Sequence, residues 1–350
     1  MLQAPDSTSN GRQRETRELG MDVLSDALRV IRLNGALFLN AEFGEPWCVA
    51  APSGEQLSRV LSPAHRHMAI CHLVVEGRCW AQLPDGEAMA VEAGDVVTLP
   101  YGDAHILGSG MHHAPATLRD AVALKLPELA RTRYGGKGAE TVVLCGWFAY
   151  ERHVASPVMA ALPRLLRTNI RRRPSGAWLE SSIRYAVGEA TSGRVGSDVV
   201  ADKLAEVLFV EALRGYVEAL PDHQTGWLAG LRDPLVGRSI TLLHERPAHA
   251  WTVASLARAV GASRTVLAER FVALIGVPPM QYLTQWRVTL AAHLLCGGQL
   301  SLARIAEQVG YESEAAFSRA FKRQYGKAPG TWRRLGSAGR DARQGMRQDA

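Results

Sequence analysis

The sequence lacks most of the features that mark a membrane protein, a secreted protein or an enzyme. In 350 residues there is no apolar run of the about 18 residues a membrane-crossing helix requires, so no transmembrane span is expected. Residues 1–20, MLQAPDSTSNGRQRETRELG, carry no apolar stretch of the kind a secretory signal needs. The five cysteines, Cys48, Cys71, Cys79, Cys145 and Cys296, show no CxxC spacing. That excludes a zinc ribbon and a disulfide framework, and makes the cytoplasm the expected compartment. No nucleophile–base motif and no phosphate-binding loop occurs, so enzymatic activity is not expected.

What is present is an ordinary globular composition, 47% hydrophobic and 21% charged, in a chain long enough for two or three domains. Segment 1–20, polar and rich in Ser, Thr and Arg, reads as a disordered tail, as does 336–350. Met21 opens the first amphipathic segment and is a second candidate start of translation. Charge is uneven. Val236 to Ala350 holds 16 Lys and Arg against 7 Asp and Glu, net +9, whereas the remainder holds 24 against 27, net −3. A basic tail behind a neutral-to-acidic front points to a polyanionic partner, the alternative being an inert solvated surface.

The basic part contains an internal repeat. Leu256, Ala257, Val260 and Gly261 match Ile305, Ala306, Val309 and Gly310 at an offset of 49. After one inserted residue the offset is 50: Ser263, Leu267, Phe271, Gly276, Pro279 and Tyr282 match Ser313, Phe317, Phe321, Gly326, Pro329 and Trp332. Each copy reads as helix, turn, helix. In the first, Thr252 caps a short helix with apolar residues Val253, Leu256, Ala257 and Val260, and Gly261 ends it. Ser263 caps the next helix, which is expected to bury Val266, Leu267, Phe271 and Leu274 before Gly276 and Pro278-Pro279 stop it. In the second, Ser301 and Ser313 are the caps, Gly310 is the break, Glu314 suits the helix N-terminus, and Ala316, Phe317, Ala320 and Phe321 are the buried face.

Two short helices joined by a tight glycine turn are the helix-turn-helix pattern, whose second helix reads the DNA major groove from its N-terminal part. The outward residues there are Arg264, Thr265, Ala268 and Glu269 in copy one, and Glu314, Ala315, Ser318 and Arg319 in copy two. Lys322, Arg323 and Lys327 suit phosphate contacts. Met280 to Cys296 reads as one long helix with Tyr282, Leu283, Trp286, Leu290 and Leu294 inward, a rigid spacer able to hold two reading helices roughly 34 Å apart. Arg287 on it is either a core-edge ion-pair partner or a phosphate contact. The competing reading of the whole repeat is a helical bundle that binds protein.

Residues from about Gly237 to Leu335 resemble the DNA-binding region of AraC/XylS-type regulators. The most specific stretch is GYESEAAFSRAFKRQYGKAPGTWRR, Gly310 to Arg334, supported upstream by WTVASLARAVGASRTVLAERF, Trp251 to Phe271. The resemblance implies base contacts at Thr265, Ala268, Glu269, Ala315, Ser318 and Arg319, double-stranded DNA at promoters as the partner, and activation through RNA polymerase. Ala268 and Glu269 depart from the longer polar or basic residues usual there.

Residues Pro46 to about Tyr150 carry short apolar or alternating runs such as HLVVEG, CWAQL, VVTLP and TVVLCGWFAY, divided by Gly, Pro and Asp turns, and read as an all-β domain. The stretch Gly94 to His105 resembles the second cupin motif, with its Pro100-Tyr101-Gly102 turn and a closing His. His65-Arg66-His67 resembles the first, and His72 stands near the place where cupins often have Glu. The resemblance implies a double-stranded β-helix, the sensor half of such regulators.

The expected fold is therefore α+β and multidomain: a disordered tail over 1–20, a cupin-like β-barrel sensor over 21–155, a helical linker or dimerisation region over 156–226, an all-α tandem helix-turn-helix domain over 227–335, and a tail over 336–350. Three effector chemistries stay open. His65, His67, His72 and His105 are candidate ligands for a transition metal such as zinc, iron, nickel or copper, or His72 and His105 are simply hydrogen-bonded core residues. Cys48 and Cys145 are candidate redox thiols, or buried and inert. A small organic effector in an apolar pocket is the third. His112-His113 reads as exposed, and Arg171-Arg172-Arg173 as a solvated loop. Val200 to Leu220 reads as a helix that offers a homodimer face or covers the sensor. The expected function is a sequence-specific regulator answering to one of these effectors. The alternatives are a metal-dependent cupin enzyme with a helical partner-binding tail, and a DNA-binding protein whose front only dimerises.

Overall fold

The computed structural model describes residues 23–25, 27, 34–61, 68–110, 114–117, 130–150, 157–192, 197–221, 224–297 and 300–334. Both tails, and His65, His67, His112 and His113, lie outside the described residues. The described parts of Arg32–Glu151 and Leu162–Ala219 form one compact unit; those of Met1–Ile31, Arg152–Ala161 and Leu220–Ala350 form the other.

Among the described residues, the first unit is built on eleven strands: β1 (Asn34–Gly44), β2 (Cys48–Ala51), β3 (Met68–Glu76), β4 (Arg78–Gln82), β5 (Ala88–Glu92), β6 (Asp95–Leu99), β7 (His105–Gly108), β8 (Ala116–Thr117), β9 (Ala130–Gly135), β10 (Glu140–Ala149) and β11 (Leu166–Asn169). Its helices are α1 (Gly54–Leu61), α2 (Gly176–Ser192) and α3 (Ser197–Ala219). One sheet runs β11-β6-β3-β10-β1-β9 and the other β5-β4-β7-β2-β8. Their inner faces share one core, in which Ile70, Val74, Val97 and Val143 of the first sheet meet Val49, Ala81, Val91 and Leu107 of the second.

The outer face of the larger sheet is covered as well. Phe148 on β10 meets Phe209 on α3 with ring centroids 5.0 Å apart, and the Thr168 hydroxyl donates to the Ala212 carbonyl across 2.9 Å. Cover on both faces explains why β3 is buried at every position except Glu76 and shows no polar alternation. The motif turn behaves as its residues require: Gly102 has φ +67°, and a Cβ there would lie 2.2 Å from the Met68 carbonyl oxygen.

Two expectations for the middle of the chain are corrected here. Segment 156–226 is not a helical linker throughout, because β11 pairs antiparallel with β6 and α3 packs on the sheet as its cover. Arg171–Arg173 is solvated at Arg171 and Arg172, as expected, but it is not a free loop. Ile170–Arg172 is a short 3-10 turn, and each guanidinium has a carboxylate: Arg171 with Glu180 at 2.7 Å, Arg172 with Glu92 at 3.2 Å, and Arg173 with Glu211 at 3.2 Å and Glu218 at 2.9 Å. Paired charges fasten this turn to its own helices and sheet rather than offering it to an anion.

The second unit holds α4 (Trp227–Arg232), α5 (Pro234–Glu245), α6 (Val253–Ala259), α7 (Arg264–Ile275), α8 (Pro279–Gly297), α9 (Leu302–Gln308) and α10 (Glu314–Tyr325). The predicted caps are in place. Thr252 and Ser255 form a reciprocal capping box at α6. Ser263, Ser301 and Ser313 each accept the backbone N–H three residues on. Each cap satisfies an otherwise orphaned donor and contributes about 1 kcal/mol. Gly276 and Gly326 close α7 and α10 in the left-handed conformation.

Two inner-face expectations shift. Val266 is 51% exposed, since Leu267 and Phe271 alone turn fully into the core and Val266 sits one position round the helix. On α8 the fully buried residues after Trp286 are Val288, Ala291, Ala292 and Leu295, with Leu290 and Leu294 only partly buried. The helix serves two cores. Its first half packs with Phe271, while its second half closes a core with Ile305, Phe317 and Phe321.

Candidate nucleic-acid interface and sensor core

The candidate reading positions fall on α7 and α10. On α7, Arg264, Thr265 and Glu269 are exposed and Ala268 is half-buried; on α10, Glu314, Ala315 and Arg319 are exposed and Ser318 is half-buried. Lys322, Arg323 and Lys327 are exposed, following α10 toward and past its end. Exposed Val266 lies between Thr265 and Glu269 on the same short stretch, an apolar position that periodicity alone assigned to the core. An aliphatic side chain at such a place suits the methyl group of thymine, and a carboxylate such as Glu269 suits the amino group of cytosine.

Behind these helices the spacer is clamped. The Trp227 indole N–H donates to the Tyr282 hydroxyl oxygen at 2.7 Å. That hydroxyl is then free to donate to Nε2 of His244, 2.8 Å away. His244 stacks on Trp286 with ring centroids 3.6 Å apart and planes 2° from parallel. Burial pushes the His244 pKa down to about 3, so the ring is neutral and accepts. The Arg270 guanidinium reaches the Asp233 carboxylate at 2.6 Å and ties α7 to the start of α5. Among the described residues Arg287 makes no ion pair of the sort expected at a core edge. Its Nε donates to the Pro247 carbonyl at 2.6 Å and its Nη2 to the His249 carbonyl at 2.9 Å.

In the first unit the structure joins three of the sequence candidates in one buried line. Nδ1 of His72 lies 2.9 Å from Sγ of Cys145. Nε2 of His72 lies 2.7 Å from Nε2 of His105. Nδ1 of His105 lies 3.0 Å from the Asp103 carbonyl oxygen. A carbonyl only accepts, so His105 carries its proton on Nδ1 and accepts at Nε2. His72 must then donate from Nε2 and accept at Nδ1, where the Cys145 thiol donates. The line therefore has one polarity, thiol to imidazole to imidazole to carbonyl, with every member neutral.

Burial supports that state: it holds the His72 pKa well below the ordinary histidine range and lowers His105 to about 4. It also raises the Cys145 thiol far above its usual value, with Cys71 and Cys79 nearby adding to the effect. Cys48 is buried too, its thiol raised by burial.

The two imidazole nitrogens, 2.7 Å apart, stand at hydrogen-bond separation, closer together than two ligands of one metal ion with bonds of about 2 Å. Among the described residues no group of three or more His, Cys, Asp or Glu is arranged to hold a metal ion. The remaining candidates, His65 and His67, lie outside those residues. No helix of the described residues is long and apolar enough to cross a membrane.

With this geometry in view, the comparisons with known proteins agree on one family. Residues 22–218 match the cupin family, and residues 256–335 match a helix-turn-helix domain. A putative AraC-like transcription regulator of Streptomyces antibioticus is 35% identical over 90% of this chain and 99% of its own length. This chain belongs to the AraC family of transcription regulators. A second AraC-like regulator, from Streptomyces lividans, is 32% identical over 90% of this chain and 98% of its own. Among solved structures, the DNA-binding domain of AdpA in complex with a target DNA is 32% identical, covering 31% of this chain and 97% of that one, with a TM-score of 0.30. The AraC-family relatives are transcription regulators and not enzymes, which removes the cupin-enzyme alternative. It also gives the two-part fold its meaning: a cupin β-sheet unit in front, a helix-turn-helix unit behind.

Proposed function

We propose that this AraC-family chain reads promoter DNA with α7 and α10 in successive major grooves and responds to a small effector through its cupin unit. The observation that carries the DNA reading is the pair of capped helix-turn-helix units on one continuous spacer helix, with exposed reading residues on both and three exposed cations along α10 and the turn after it. Arg264, Thr265, Ala268, Glu269, Ala315, Ser318 and Arg319 read bases, and Lys322 and Arg323 hold phosphates. RNA polymerase and a second copy of the chain are the protein partners in this reading, and the cytoplasm is its place of action.

For the effector, a small organic molecule fits the cupin core better than a metal or an oxidant. The paired imidazoles already share their proton, and the thiols are held protonated, whereas a reactive thiol needs its pKa lowered. An apolar interior with a few convergent polar groups is the usual make-up of an organic-ligand site.

Arg319→Ala is the test of base reading. Its loss should weaken binding to one half of the recognised site by about 1–3 kcal/mol and relax the base preference at a single position. Gel-shift titration of the full chain against site variants measures both. An unchanged affinity and preference would remove Arg319 from the reading set.

A further inference from the structure

Arg287 sits near the middle of α8. Its two donors hold the carbonyls of Pro247 and His249, in the loop that leads from α5 into the first unit. That loop is itself braced. The His249 N–H donates to the Arg246 carbonyl at 3.1 Å and the Trp251 N–H to the His249 carbonyl at 2.8 Å. The Trp251 indole donates to the Arg246 carbonyl at 3.2 Å. The guanidinium also borders the second unit. Gly310, the turn glycine of that unit at φ +86°, lies so close that a Cβ there would come 2.9 Å from Nη2 of Arg287 and 2.6 Å from the Cα of Ala248. One side chain of the spacer thus touches the entrance loop of one reading unit and the turn of the other, in a gap sized for glycine.

We propose that Arg287 is a positioning residue that fixes the separation and angle of α7 and α10, and so sets the half-site spacing the protein accepts, without touching DNA. The proposal rests on the DNA reading above. Arginine suits the task because its planar fork presents donors at fixed angles, so two carbonyls of one loop are held by a single rigid group. A lysine in its place keeps the charge and three donors, but they share one nitrogen on a flexible stem, so the two separately placed, rigid donors that Nε and Nη2 supply are lost. The two roles open to Arg287 therefore predict different outcomes for Arg287→Lys.

The experiment begins by selecting the wild-type full chain on random duplexes, then taking the enriched bipartite site with versions one base pair longer and shorter between the halves. Each added pair moves a half-site by about 3.4 Å and turns it by roughly 34°. Wild type should prefer the selected spacing by at least about tenfold, since avidity is lost when both halves cannot be engaged together. Arg287→Lys, Arg287→Met and, from the other side of the junction, Gly310→Ala should bind the selected site about tenfold more weakly and lose most of the spacing preference, while keeping wild-type affinity for the first half-site alone.

Arg287→Lys with wild-type affinity and spacing preference overturns the proposal. So does Arg287→Met weakening all sites equally with a salt slope shallower by about one, the signature of a lost phosphate contact. If Arg287→Met fails to fold by circular dichroism, Arg287→Lys and Gly310→Ala decide by the same readouts. A wild type that enriches no sequence would overturn the DNA reading itself, a result distinct from an enriched site whose spacing the variants leave intact.

Discussion

Replacing Phe321 with alanine is expected to destabilise the helix-turn-helix half by about 3–5 kcal/mol, the usual cost of emptying a buried phenylalanine site. Phe321 is fully buried and packs against Phe317, Tyr325 and Trp332 with ring centroids 5.6, 5.0 and 5.5 Å away. These rings, with Val288, Ala291 and Leu295 of the spacer, are the core that seats α10. The void left by the ring cannot be filled by neighbours already in contact with one another, so the loss includes a cavity cost beyond the transfer of the side chain. Val272→Ala is the control, because Val272 is 41% exposed and its truncation should cost no more than about 0.5 kcal/mol. Urea unfolding followed by circular dichroism measures both. Similar small shifts for the two variants would mean that Phe321 is not the core residue described here.

Acid should loosen the cupin unit through the buried imidazole line. His105 has a folded pKa near 4, below the about 6.5 of an unfolded chain. At pH 7 it is neutral in both states. Between pH 6.5 and 4 the unfolded chain takes up a proton that the folded chain refuses, so stability falls as pH falls through that window. The difference amounts to about 3 kcal/mol by pH 4. His72, shifted in the same direction, adds to it. Glu180, depressed chiefly by its hydrogen bond from Arg171, and Glu211, depressed against the opposing effect of burial by hydrogen bonds from Ser175 and Arg214, take effect lower, as pH drops below the ordinary carboxylate range. Denaturant midpoints of wild type and His105→Gln at pH 7, 6, 5 and 4.5 separate the contributions. The variant keeps an amide oxygen to accept from His72 but loses the ring's hydrogen bond to the Asp103 carbonyl, so it is less stable at pH 7, yet its stability should fall less steeply between pH 6.5 and 4.5. Parallel slopes would show that His105 is not held neutral.

The helical half was legible in the sequence because its signals are local. A serine or threonine cap, a glycine at positive φ and aromatic residues at helical spacing each act within a few residues. They occur twice at a nearly constant offset, so Thr252, Ser263, Ser313 and Gly310 could be placed directly. The misses came where a second partner decides. Val266 has a core residue's chemistry but sits one step round the helix from Leu267. Leu290 and Leu294 gave way to Val288, Ala291 and Leu295 because α8 turns its inner face from one core to the next. Arg287 carries nothing in its neighbours to reveal that its partners are two carbonyls 38 to 40 residues away.

The cupin half was legible as short strands and one motif turn, but its sheet order depends on pairings far apart in sequence. The strand Leu166–Asn169 is not legible for that reason: Val97 and Thr98 pair with Arg167 and Leu166 only once the chain has folded back. His72, His105 and Cys145 were each singled out. That they form a single hydrogen-bonded line follows from β3 and β10 pairing with His72 opposite Cys145, which no local pattern encodes.

In the proposed function the basic helix-turn-helix half binds DNA and reads its sequence. The direct measurement is the affinity of the full chain for its selected bipartite duplex and for a scrambled duplex of equal length, from 50 to 200 mM salt. Affinity should fall by about 10³–10⁵ over that range, as released counterions require for six to ten phosphate contacts, and the scrambled duplex should bind at least about 10³-fold more weakly. Equal affinity for the two duplexes with little dependence on salt would contradict it, and would turn the exposed faces of α7 and α10 into a surface for a protein partner.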